Sequence, residues 1–169
     1  AAVLVVADLN DRVESRNDWF AVELESRHDD RVMLAIDNYV EVLNAPFVLP
    51  GNVVVPAGNH EFVRWTAELQ TAQRRKFSAH WTVICCAYFD GNSAESDLQL
   101  AYHPNAHFSA AFSHRLQPIH LPGGRTTIHI ESLNATANFT PEMKLVTEVQ
   151  YDTVSRQLGG SLRYRWELR

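Results

Sequence analysis

One stretch of this chain leaves little freedom of fold: Phe77, Ala79, Trp81, Val83, Cys85, Ala87 and Phe89 occupy alternate positions, opposed by Ser78, His80 and Thr82. Neighbouring side chains of a strand point to opposite faces, whereas a helix repeats every ~3.6 residues. A period of two therefore commits this run to a β-strand with one apolar and one polar face. The pattern is general. Val63, Trp65, Ala67 and Leu69 oppose Arg64, Thr66, Glu68 and Gln70, and Leu158, Leu162, Tyr164, Trp166 and Leu168 oppose Ser161, Arg163, Arg165 and Glu167. Phe20, Val22 and Leu24 share a face, as do Val32, Leu34 and Ile36. The same holds for Leu98, Leu100 and Tyr102, for Phe108, Ala110 and Phe112, and for Met143, Leu145, Val149 and Tyr151.

Punctuation separates these runs. Pro46, Pro50, Pro56, Pro104, Pro118, Pro122 and Pro141 lie between them or at their ends, as do Gly51, Gly58, Gly91, Gly123 and Gly124. Proline cannot donate to a ladder and glycine supplies turn dihedrals, so these positions mark connections. Asp90-Gly91-Asn92 is a hairpin signal, and residues 44–59 form a longer Pro/Gly loop. The run 126–140 changes phase: Ile128 and Ile130 share one parity, whereas Leu133, Ala135, Ala137 and Phe139 share the other. A β-bulge or a broken strand would produce that switch. Helical periodicity is absent, with room for one short helix near 11–18. About eight or nine runs, each about ten residues long, predict an all-β antiparallel up-and-down meander. It is expected to be a single domain over 1–169, with 1–16 irregular, closing into a β-barrel that removes its exposed edges.

The 169 residues suffice for one domain with a real core, and at 46% hydrophobic with net charge -5 the chain is neither disordered by composition nor a basic nucleic-acid binder. No apolar run approaches the ~18 residues of a membrane-spanning helix. Residues 1–7 are too short to span and lack the basic start and cleavage region of a complete signal peptide. Without an initiating Met, the chain reads as a mature product or a fragment.

The open question is what the apolar face touches. A lipid-facing barrel fits three features: apolar faces nearly unbroken by charge, runs of membrane-spanning length, and aromatics near run ends. Those aromatics are Trp19, Phe20, Trp65, Phe77, Phe89, Tyr102, Phe139, Tyr151 and Trp166. Arg64, Glu68, Arg163 and Arg165 would then line the lumen. Alternation alone equally allows a soluble lipocalin-like barrel with Trp81, Phe112 and Tyr151 inward around an apolar ligand, or an accessory β-subunit docked on a larger membrane complex.

Chemistry is sparse. Cys85 and Cys86 are adjacent, neighbours on a strand point apart, and no CxxC or Cys/His zinc spacing exists, so both read as free thiols. His103 and His107, with Pro104-Asn105 between them, read as turn histidines, and His114 and His120 as loop or lumen residues. Asp29-Asp30 and Asp90-Gly91-Asn92 lack full calcium-loop spacing and read as turns. Ser132, Ser155 and Ser161 have no nucleophile-elbow context. Arg74-Arg75-Lys76 suits a solvated loop or a contact with acidic headgroups or glycans. Asn134-Ala135-Thr136 and Asn138-Phe139-Thr140 are formal glycosylation acceptors. The expectation is a non-catalytic protein with no catalytic, cofactor-binding or metal-binding residues and no cofactor.

Several motifs occur together in order: Ala45-Pro46-Phe47, Leu49-Pro50-Gly51 and Val55-Pro56-Ala57-Gly58 with Phe62; Phe89-Asp90-Gly91; and His103-Pro104-Asn105-Ala106-His107-Phe108-Ser109. They continue with Leu121-Pro122-Gly123-Gly124 and Thr126-Thr127; Asn138-Phe139-Thr140-Pro141; Val149-Gln150-Tyr151-Asp152 with Val154-Ser155; Leu158-Gly159; and Arg165-Trp166. In that order, across 17–166, the chain resembles the carboxy-terminal β-barrel of a family of large bacterial outer-membrane proteins of unassigned function. Their amino-terminal domain is similar to carbohydrate-binding family 9. The resemblance covers the last part of that barrel, without the amino-terminal domain, and brings no catalytic residues with it. It implies a bacterial outer-membrane location, the lipid bilayer as the main partner, possible further subunits of a membrane complex, no nucleic acid, and a role as anchor, pore or scaffold.

Overall fold

The computed structural model describes residues 2–7 and 13–167. The strands are β1 (Ala2–Ala7), β2 (Val13–Glu25), β3 (Arg31–Leu43), β4 (Phe47–Leu49), β5 (Val53–Val55), β6 (Gly58–Gln70), β7 (Phe77–Tyr88), β8 (Gly91–Asn105), β9 (Phe108–Leu121), β10 (Gly124–Thr140), β11 (Met143–Asp152) and β12 (Gln157–Trp166). β4 and β5 pair only with each other, and the remaining strands form one ten-stranded antiparallel sheet in chain order. The all-β meander read from the alternation is thus present, with ten strands in the main sheet rather than eight or nine. The expected closure into a barrel is not seen: the sheet is open, because among the described residues no ladder joins β1 to β12 and both edges remain.

The amino-terminal expectation needs correcting. Within 1–16, expected to be irregular, Ala2–Ala7 is a strand whose Leu4 opposes Asn17 of β2. Of the possible helix at 11–18, residues 13–18 lie in β2 and 11–12 fall outside the described residues. The valine-rich β1 has the β-branched composition that a half-buried strand favours.

Residues opposed across an antiparallel ladder share a face, so the register carries each face from strand to strand. Apolar rows run across the sheet. Leu24, Val32, Leu69, Trp81 and Leu98 oppose one another in series from β2 to β8, and Leu100, Phe112, Leu133 and Val149 do so from β8 to β11. Phe20, Leu34, Trp65, Phe77, Tyr102, Leu162 and Trp166 are all exposed on this side. Two of the expected girdle aromatics do not belong to it. Trp19 opposes Asp37 on the polar face, and Phe89 lies in an aromatic cluster.

The rows also reveal a stagger. Leu24 lies one residue from the end of β2, whereas Glu131, in the same row on β10, lies about nine residues from the corresponding end. That slip of about eight residues is about 26 Å along the strands, over six inter-strand steps of about 29 Å. The line of turns therefore crosses the strands at a tilt of about 40°, the range of closed barrels.

β10 runs unbroken against β9, from Gly124 opposite Leu121 to Ala137 opposite Phe108, so the phase change at 128–133 is neither a bulge nor a break. The strand continues and the chemistry of its faces inverts. Ile128 and Ile130 stand on the polar side, and His129 and Glu131 on the apolar side. Pro118 lies inside β9 rather than at a run end, and the β8–β9 ladder skips from Ser93–Ile119 to Ser96–Leu116 around it. A residue without an N–H opens a ladder in this way.

Candidate functional site

The polar face carries charge in ordered pairs. On one side, Arg31 reaches Glu68 (3.2 Å) and donates to Gln70, and His80 Nε2 lies 3.2 Å from Glu68. Four strands away from β3, Arg115 of β9 binds Asp97 (2.6 Å), and Ser113 shares a hydrogen bond with Ser132 (2.7 Å). Between these groups Arg64 is only 8% exposed. Its guanidinium lies over the Tyr88 ring at 5.2 Å, and among the described residues its Nε and Nη2 have no hydrogen-bond partner. Asp37 stands opposite it in the ladder, within reach of Asn17 and Thr66 (3.5 Å each). Of the lumen groups read from the sequence, Glu68 thus sits among partners, and Arg64 is enclosed against the Tyr88 ring. Arg163 and Arg165 lie on the same face but are exposed on β12, with Arg165 paired to Glu167.

At the end of the sheet opposite the 26–30 and 71–76 turns, the long loop between β3 and β6 folds back over the polar face. Its β4–β5 hairpin buries Val53 and Val55, and Ile119 of β9 is equally enclosed. A Cβ on Gly51 would meet Thr126, and one on Gly124 would meet Val53 at 3.4 Å, which places the hairpin against β10. Phe62 stacks on Tyr39 (5.2 Å) and meets Phe89 (5.2 Å), and Phe89 in turn meets Phe47 (5.5 Å). His60, almost fully buried, faces Asp90 with Nδ1 and the Pro56 carbonyl with Nε2, both at 3.0 Å. An apolar cleft of about 250 Å³ remains between Val54, Pro56, Phe89 and Leu121.

Cys85 and Cys86 are joined by a disulfide, which corrects the reading of both as free thiols. Simple alternation would separate the sulfurs, but Cys86 has φ of 99°. This left-handed backbone breaks the strand geometry on which the free-thiol reading rested.

Asp29-Asp30 and Arg74-Arg75 lie in turns as read, whereas His103, read as a turn residue, lies in β8, and His114 and His120, read as loop or lumen residues, lie in β9 on the apolar side. Asp29 pairs with Arg74 and Asp30 with Arg75 (2.6 Å), while Asp30 also accepts from the Ala72 N–H (3.1 Å). The β2–β3 and β6–β7 turns are thereby tied together, and Arg74 and Arg75 spend their charge on them. The Arg75 hydrogen bond, followed by that from Ala72, holds the Asp30 carboxyl below its ordinary value of 3.8. His107 is a turn residue, its ring Nδ1 3.0 Å from the Asn138 carbonyl.

One cluster escaped the sequence reading. His114 of β9 opposes Glu131 of β10, and His129 stands two residues before Glu131, so all three share the apolar-side face. His114 Nε2 and His129 Nε2 lie 3.0 Å apart, and His129 Nε2 lies 3.3 Å from Glu131 Oε1. All three are half-buried, and one donor atom from each falls within a 4.8 Å span. The signal was present in the phase change of 126–140, which put two ligating side chains where apolar ones were due. The partner His114 comes from register, which spacing along the chain does not encode.

Comparison with known proteins adds no further constraint: no family model, no curated protein and no solved structure matches the chain.

Proposed function

We propose that this chain is the wall of an outer-membrane-type β-barrel, with a non-catalytic role as anchor, pore lining or scaffold in a bacterial envelope. The observation that carries the reading is the division of the two faces. Large apolar side chains, among them Phe20, Leu34, Trp65, Trp81, Tyr102, Leu133 and Trp166, are exposed on one face from β2 to β12. Ion pairs and the β4–β5 hairpin occupy the other. So large an exposed apolar surface calls for a lipid or protein neighbour. On β6 and β7 the apolar band covers 63–69 and 77–85, or about 23–30 Å along the strand. At the tilt found here this is about 18–23 Å in height, close to the ~25 Å lipid-facing band of such barrels. Phe77, Tyr102, Phe108, Phe139 and Trp166 lie close to the end of the sheet opposite the β4–β5 hairpin, as an interfacial girdle would.

The lipocalin-like alternative places Trp81, Phe112 and Tyr151 around an enclosed ligand. Trp81 and Tyr151 are instead 47% and 39% exposed, on the side away from the hairpin. The docked-subunit reading draws support from the unpaired edges of β1 and β12, which closing strands from elsewhere would satisfy. Solubility separates the readings. The purified chain is expected to need detergent and to migrate differently on gels with and without heating; a monodisperse monomer in plain buffer would overturn the membrane reading.

A further inference from the structure

We propose that His114, His129 and Glu131 form a binding site for a divalent transition metal, zinc by preference, on the outward face just beyond the apolar band. The two imidazoles turn their Nε2 atoms toward each other at 3.0 Å, with ring planes at 69°. Without an ion, one ring donates an Nε2–H to the lone pair of the other; with both Nε2 lone pairs free, the same contact accommodates a cation between them. Zinc binds imidazole nitrogen at about 2.0–2.1 Å and carboxylate oxygen at about 2.0–2.2 Å, and tetrahedral angles then set donor atoms about 3.3 Å apart. Two of the separations, 3.0 and 3.3 Å, suit donors around one ion; the full set spans 4.8 Å, so the partly exposed Glu131 carboxylate has to turn inward to complete it. Three protein ligands leave a fourth position toward the exterior, for water or for a ligand from a lipid headgroup, glycan or partner. Two imidazoles and one carboxylate favour zinc, copper or nickel over the oxygen-seeking calcium and magnesium.

The site is held by the sheet rather than by a loop. His114 and Glu131 are ladder partners, and the His129 carbonyl accepts from both the Thr153 N–H (3.0 Å) and the Thr153 hydroxyl (3.1 Å). Glu131 faces Tyr151 across the next ladder, and His114 faces Leu98. The strand positions of the three residues are therefore set before any ion arrives, and the side chains alone have to adjust, which lowers the ordering cost of binding it. The site's location does not depend on whether the apolar face meets lipid or protein.

The test uses the tag-free full chain, stripped with chelator, in whichever solution keeps it folded. Cobalt(II) is titrated by its visible absorption and then displaced by zinc. One ion per chain is expected. His129→Ala and His114→Gln should each weaken binding by at least about tenfold, and Glu131→Gln should weaken it less. His120→Ala and His103→Ala should leave it unchanged. Should His129→Ala fail to fold, chemical-shift changes of both imidazoles on adding zinc to the unaltered chain keep the question answerable. Absence of saturable uptake, or uptake indifferent to His114 and His129, overturns the proposal and leaves a shared proton as the reason for the contact.

Discussion

At the scale of single residues, the side chains that hold this protein together do so through charge and shape across the sheet. Asp30 illustrates it, joined to Arg75 and to the Ala72 amide, with its carboxyl held below the ordinary 3.8. A depressed folded-state value means the tie is fully present above pH ~3.8 and is lost as pH falls through the lower folded value. The Ala72 amide resonance should therefore move on acidification below about pH 4, and Asp30→Asn should abolish that movement. A shift that persists in Asp30→Asn would contradict the assignment. The sequence disclosed the turn character of Asp29-Asp30 and Arg74-Arg75-Lys76, but not that they bind each other, because pairing between turns depends on strands meeting in space. It disclosed the two-faced strand around Cys85, but not the bridge, because one residue with positive φ cancels the alternation locally. The metal-site histidine pair was hidden for a related reason: His114 and His129 are neighbours only by register.

Among the elements, the alternating runs were readable because each strand presents one face to polar and one to apolar surroundings. The exceptions fall where the strand runs past the apolar band. On β10, Arg125, Thr127, His129 and Glu131 share a face with Leu133 and Ala135, so a change of side-chain chemistry along one strand mimics a bulge. Pro118 was legible as a break in hydrogen bonding, and the break proves to be a gap in the β8–β9 ladder rather than the end of a strand. The β7–β8 turn offers a test of how closely these elements fit. A Cβ on Gly91 would run into the His120 carbonyl oxygen and sit 3.0 Å from Leu121 Cα, all backbone atoms of β9. Gly91→Ala should cost about 1–3 kcal/mol by forcing that backbone to move. Gly159→Ala, with nothing within 4 Å, should cost less, for lack of a clash. Equal losses, measured by denaturant unfolding, would argue against the close approach.

For the whole molecule, the meander order and the two-faced sheet follow from short turns and period-two patterning, whereas the stagger and the covering of one face do not. The tilt of about 40° needs the register, and the covering of the polar face needs the hairpin and ion pairs that lie on it. If the outward face meets lipid, Val83→Arg should cost about 2–4 kcal/mol where that residue nears the bilayer midplane, with a loss that depends on the detergent or lipid used. A loss indifferent to the medium would point to a protein interface instead. Trp81 gives the most direct reading, since it stands in the middle of the exposed apolar row and is 47% exposed. With Trp19, Trp65 and Trp166 changed to phenylalanine, the fluorescence of Trp81 is measured in vesicles of lipids brominated along the acyl chain, and separately with aqueous acrylamide. Strong quenching by the brominated chains and weak quenching by acrylamide are expected; the reverse would rule out a lipid-facing Trp81.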